Sequence, residues 1–263
     1  MDNRLNDRLN RELVVLADGE PVTGFQHARL TGREELSLVP SPFFLRIRNL
    51  EESDYLLLFR AGDVTVIHGG SVLAAGPVTD CFRRSDREGT LTTVCLSPGL
   101  PLWEAPVSLS VEAGVSVSET VRRLLEASGT GIRLLGWTGK DPALSRGQAF
   151  FGRAAECVET ALSAASARAC LTASGLCVVP EEGLPVTFHL TAEDLVRAPA
   201  FASGRTMVLA ARMAGWSVGK ALEVEYGGLR TEGLITGRSV DADTRDGPWR
   251  TELLAEISPQ RTA

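Results

Sequence analysis

From Leu13 to Ser97 apolar and polar positions mostly alternate with a period of two. The segments LVVLAD, GEP and VTGFQHARLTG read as a hairpin, and Phe43, Leu45 and Ile47 alternate with Phe44, Arg46 and Arg48, as on a strand with one buried face. YLLLF (55–59), VTVI, SVLAAGPVTDCF and TLTTVCLS follow as further strands, separated by Ala61-Gly62-Asp63, Gly69-Gly70 and Glu88-Gly89. Short strands with turn signals between them predict an antiparallel barrel or sandwich, not a βαβ fold.

Residues 104–184 change period. Ser116 and Glu119 form a capping box ahead of Val117, Val121, Leu124 and Leu125 at helical spacing, with Gly129 as the stop. A second helix is predicted over about 152–169, with Ala154, Val158, Ala161, Leu162 and Ala165 on one face. CLTA, Ser174-Gly175 and LCVVP then predict a tight hairpin, which places Cys170 and Cys177 across from one another. From Pro185 onward Thr191, Glu193 and Asp194 suggest the cap of a short helix ended by Pro199. Period two then returns in Leu222, Val224 and Tyr226, in Leu234 and Ile235, and in Trp249, Thr251, Leu253 and Ala255.

The fold class is thus α+β and β-dominated, organised as β, then α+β, then β. The predicted units are an N-terminal arm (1–12), a first β domain (13–103), an inserted α+β domain with two helices (104–184) and a second β domain (185–263). No sequence repeat marks the two β parts as duplicates. In the arm, Leu5, Leu9 and Leu13 form one narrow apolar stripe at helical spacing and are the candidate partner-contact residues.

Composition sharpens what the chain can do. The net charge of −6 over 263 residues is the opposite of a phosphate-binding surface, so specific nucleic-acid binding is not expected. No run approaches the roughly 18–20 apolar residues that cross a bilayer, and the N-terminus has no apolar signal core, so the expected address is the cytoplasm with no membrane contact. Five scattered cysteines fit reduced, buried thiols. His27, His68 and His189 form no ligand spacing, Gly139-Lys140 lacks the rest of a phosphate loop, and Ser71 lacks the closing glycine of a nucleophile elbow. Asp241, Asp243, Asp246 and Glu252 imitate a calcium loop, but Asp246 stands where the bend needs glycine, so a polar turn between strands is expected. No catalytic, cofactor or metal residue is assigned, and no enzyme activity is expected.

Two stretches, AGDVTVIHGGSVLAAGPVTD (61–80) and LEVEYGGLRTEGLITGRSVDADTRDGPWRTELLAEI (222–257), combine a strand, a Gly turn, an apolar strand and a polar loop. In this order, with a helical segment between, the chain resembles the baseplate hub proteins of phage tails and related contractile injection systems over roughly residues 13–258. The resemblance implies two tail-tube-like β-barrel domains per chain and a homotrimer that presents six similar surfaces to a hexameric tail tube and threefold symmetry to a trimeric spike. It also implies a virion baseplate location after assembly in the host cytoplasm, and a lumen through which DNA or effectors pass. The partners are the tube and spike proteins, with the tape-measure protein and other baseplate proteins as further candidates; no cofactor is implied. A β-rich glycan- or protein-binding accessory module is the alternative, with Trp103 or Trp137 in its groove. A hydrolase using Glu104 and Asp141 is a third reading.

Overall fold

The computed structural model describes residues 11–137, 139–172, 175–180 and 186–257. The first β part contains β1 (Val14–Ala17), β2 (Glu20–Val22), β3 (His27–Glu35), β4 (Phe43–Arg48), helix α1 (Glu52–Arg60), β5 (Asp63–His68), β6 (Ser71–Asp86) and β7 (Gly89–Leu96). The alternation around Phe43 places Phe43, Leu45 and Ile47 in a core with Leu30, Val64, Val66, Leu73 and Val94. YLLLF, expected as a strand, lies in α1. Glu52 and Asp54 sit in the first turn and Arg60 in the last, which suits the helix dipole, and only Leu58 is fully buried, so one contact stripe replaces the alternation of a strand.

The middle of the chain forms a separate core. It contains α2 (Leu100–Glu104), β8 (Pro106–Val111), α3 (Val117–Ser128), β9 (Gln148–Arg153), α4 (Ala154–Ser163), β10 (Ala167–Thr172) and β11 (Gly175–Pro180). α3 starts as the capping box dictates: the Ser116 hydroxyl accepts from the Glu119 amide at 3.2 Å, and Gly129 ends the helix at φ 66. Asp141 reinforces this start, its carboxylate accepting from the amide (2.9 Å) and hydroxyl (2.6 Å) of Ser118. α3 and α4 bury Val121, Leu124, Leu125, Val158, Ala161 and Leu162 against Val107, Val111 and Phe150 of the two-stranded β8–β9 sheet.

The last part contains β12 (Val186–Leu190), β13 (Ala200–Ser203), β14 (Thr206–Ala211), β15 (Ala221–Tyr226), β16 (Leu229–Asp243) and β17 (Trp249–Ile257). The helix expected after Thr191 is instead a turn, because Asp194 accepts from the Thr191 amide and hydroxyl while Leu195 bridges to Ala211. Met207, Leu209, Ala211, Leu222, Val224, Ile235 and Leu253 form the third core, joined by Cys170 and Trp216.

The two β parts belong to one 13-stranded sheet. Its first half runs β3-β4-β7-β6-β5-β1, and its second half runs β13-β14-β17-β16-β15-β12. The strand order is the same. β5–β6 and β15–β16 are hairpins closed by Gly69-Gly70 and Gly227-Gly228, all four glycines at positive φ. Each long strand then bulges at a threonine. Thr79 and Thr236 are skipped by the ladder, and their hydroxyls donate to the carbonyls of Cys95 (3.2 Å) and Leu254 (3.3 Å). One residue before each bulge, the amides of Val78 and Ile235 donate to the carbonyls of Gly62 and Lys220, both at 2.9 Å. Thr92 and Thr251, each wholly buried, are equivalent positions on β7 and β17. The halves differ at their ends, β1 joining β5 antiparallel and β12 joining β15 parallel. Among the described residues the strand pairing closes neither half into a ring.

Candidate functional site

The halves meet along β3 and β16, where seven residue pairs run antiparallel from Gly237↔Glu35 to Asp243↔Arg29. β16 thus serves both cores, Ile235 lying in the third and Val240 and Ala242 in the first. Arg238 fastens this junction. Its guanidinium donates to the carbonyls of Trp216 (2.8 Å) and Leu73 (2.6 Å) and pairs with Glu34 at 2.9 Å, while only 5% of the residue is exposed. Leu73 is the extra residue of a second bulge, between Val66 and Ile67 of the β5–β6 ladder, so a bulge in one half offers the carbonyl that the other half's arginine takes. Burial pushes the Glu34 carboxyl above the usual carboxylate range, and the attraction of Arg238 recovers only part of that cost.

The acidic loop singled out in the sequence borders a polar cleft of about 610 Å³ at the far end of this junction. Its carboxylates are already partnered. Asp241 holds Arg29 through both oxygens at 3.0 and 3.1 Å. Asp243 takes His27 Nε2 at 2.9 Å and the Arg245 amide at 2.9 Å, and these bonds hold its carboxyl below the usual range despite its burial. Glu252 pairs with Arg197 and Arg250. The expected polar turn between strands is what forms, and among the described residues no group of three or more His, Cys, Asp or Glu gathers to hold a metal. The chain enters beside this loop. Arg11 donates to the Gly247 carbonyl at 2.9 Å, and His68 meets the Trp249 ring edge-on at 5.0 Å.

The insertion is tied to the second half through its thiols. Cys170 and Cys177 face each other across the β10–β11 ladder, under Gly219, with the Cys170 thiol donating to the Val218 carbonyl at 3.6 Å. Turned toward Cys177 instead, the single Cys170 S–H holds the Cys177 thiol below its ordinary value, and Cys170 is pushed above its own.

No family model matches this sequence, and no curated protein is similar to it in sequence. Solved structures are similar in fold. A tail protein from Neisseria meningitidis matches with a TM-score of 0.69 at 12% identity, over 93% of this chain and 95% of that one. The tail protein of prophage MuSo2 from Shewanella oneidensis gives 0.64 at 15%, over 93% and 96%. An E. coli component of the type VI secretion system, itself similar to the bacteriophage T4 tail proteins gp27 and gp5, gives 0.67 at 13%, over 90% and 75%. The chain has the fold of phage tail proteins.

Within this tail-protein fold the other residues named from sequence occupy structural positions. Leu13 is buried in the first core; Leu5 and Leu9 lie outside the described residues. Trp103 packs on the insertion core beneath the Arg153 guanidinium, and Trp137 packs there with its indole N–H donating to the Lys140 carbonyl; both rings are partly buried. Glu104 is exposed at the end of α2, whereas Asp141 is engaged at the start of α3. Sequence reasoning missed Glu34 and Arg238. The available signal was a lone arginine in the apolar run LITGRSV and a glutamate one residue before the end of β3, two charges where strand faces turn inward. It also missed the burial of Glu223, which alternation places outward but which is 6% exposed and paired with Arg230 and His189.

Proposed function

We propose that the chain is a structural hub of a tail-like particle, working as a trimer between a hexameric tail tube and a trimeric spike and lining the conduit between them. The observation that carries this reading is the repeated strand order, β3-β4-β7-β6-β5-β1 and β13-β14-β17-β16-β15-β12, within a tail-protein fold. Two look-alike units per chain give a threefold assembly six comparable faces, which is the geometry needed to join sixfold and threefold neighbours. In this reading each unit acts as one tube-like barrel domain, divided as the sequence suggests at about residues 103 and 184, with the α+β insertion between them. The role needs no cofactor and no catalytic site, and the net charge of −6 suits a passage along which phosphates slide without sticking. Leu5 and Leu9, preceding the anchored Arg11, are assigned to contacts with a neighbouring chain.

The test is mass measurement of the purified protein, alone and mixed with tail tube and spike proteins. Trimers, or trimers formed on the spike, are expected. A strict monomer that ignores both would overturn the proposal.

A further inference from the structure

The two halves of the sheet are equivalent in strand order but not in coverage. In the second half, residues Gly237–Asp243 of β16 are paired by β17 on one flank and by β3 on the other. Their counterparts in the first half, Asp80–Asp86 of β6, are paired by β7; among the described residues no strand covers the other flank. Burial follows the pairing. Gly237, Arg238, Val240, Ala242 and Asp243 are buried, whereas Asp80, Phe82, Arg84, Ser85 and Asp86 are exposed. The counterpart of β3 is β13, which ends the sheet. Ala200, Phe201 and Ala202 are all exposed there, Phe201 by 68%.

Among the described residues the chain therefore holds one completed junction, β3 on β16, and both halves of a second junction of the same design left open. An open strand edge is a row of unpaired backbone donors and acceptors that recruits another strand. We propose that β13 of one copy pairs antiparallel with Asp80–Asp86 of β6 in the next copy, repeating between chains the junction that β3 and β16 make within one. The register follows from the template. Asp241 faces Thr31 and Val240 faces Gly32 inside the chain, so Arg84 faces Ala200 and Arg83 faces Phe201 between chains. Charge permits this, because Asp80, Arg83, Arg84 and Asp86 balance and the Ala-Phe-Ala-Ser strand brings none. The contact joins two different surfaces, so it propagates head to tail and closes into a ring when the rotation allows. The inference deepens the hub reading and rests on it for the number of copies in the ring.

Two single variants, Arg84→Cys and Ala200→Cys, are purified separately, mixed at high protein concentration and oxidised mildly, with the wild type run alongside to register its five native cysteines. The mixture should give a reducible band at twice the chain mass, several-fold above the wild type, while either variant alone stays at the wild-type level. Phe82→Cys mixed with Ala202→Cys is the next matched pair and guards against one substitution disturbing the fold. Self-dimers from either variant alone, or no cross-link from either pair, would sink the proposal. Light scattering on the same samples separates the causes. Association without the matched cross-link discards this strand pairing and leaves the hub reading standing, whereas chains that neither associate nor cross-link, with tube and spike proteins added as well, remove both.

Discussion

Arg238 and Glu34 are a buried ion pair whose value lies less in their mutual attraction than in what each would suffer alone. Arg238→Met leaves the Glu34 carboxyl mostly buried without a counter-ion and is expected to cost roughly 3–5 kcal/mol near neutral pH. Glu34 titrates above the ordinary carboxylate range in the folded chain, so its contribution is complete below that range and is lost as pH rises through the folded value. Removing Arg238 raises that value further. The stability gap between variant and wild type should therefore widen from acidic to slightly alkaline pH, as read from urea midpoints across the range. The thiol pair gives a second test at this scale. Cys177 is held low by the hydrogen bond from Cys170, so Cys170→Ala should move the midpoint of the rate–pH profile for Cys177 alkylation upward; an unmoved midpoint would show that the bond does not form.

Among the elements, α3 has the most explicit start signal. Ser116→Ala is expected to cost about 1 kcal/mol in urea denaturation through loss of the N-cap bond. Asp141→Ala should destabilise as well, by an amount that fades on acidification. Asp141 titrates below its ordinary value because the bonds to Ser118 outweigh its burial, and such stability is present above the ordinary range and lost as pH falls. The hairpin turns are equally specific. Gly228→Val places a β-branched residue at φ 79 and should cost roughly 1–2 kcal/mol. These local features were legible in the sequence because side chain, backbone and spacing all fall within a few residues. The α1 segment was not, since YLLLF carries no period of its own and only its acidic start and Arg60 mark it as a helix. The likeness of the two halves was hidden for a physical reason. Gly69-Gly70 matches Gly227-Gly228 and Thr79 matches Thr236, but the extra residue Leu73 in the β6 bulge puts the two stretches out of step, and the pairing register alone restores the match. The candidate edges were less legible still, because β13 is an ordinary apolar tetrapeptide until the sheet places it last.

At the scale of the whole molecule, the first core is completed by Val240 and Ala242 from the far end of the chain, and β3 is covered by β16. The outer thirds are therefore expected to melt together. Calorimetry should record one transition for them, and deleting residues from 229 onward should abolish it in both, whereas survival of a folded 13–103 portion would show the halves to be independent. The same strand has a mechanical consequence. A backbone that runs unbroken from one half of the sheet into the other resists hinging, so the arrangement of the halves is set by the β3–β16 ladder and not by surface contacts that slide. Under the hub proposal such a piece acts as a stiff keystone, and any give under load has to be taken up at the seams between one chain and its neighbour.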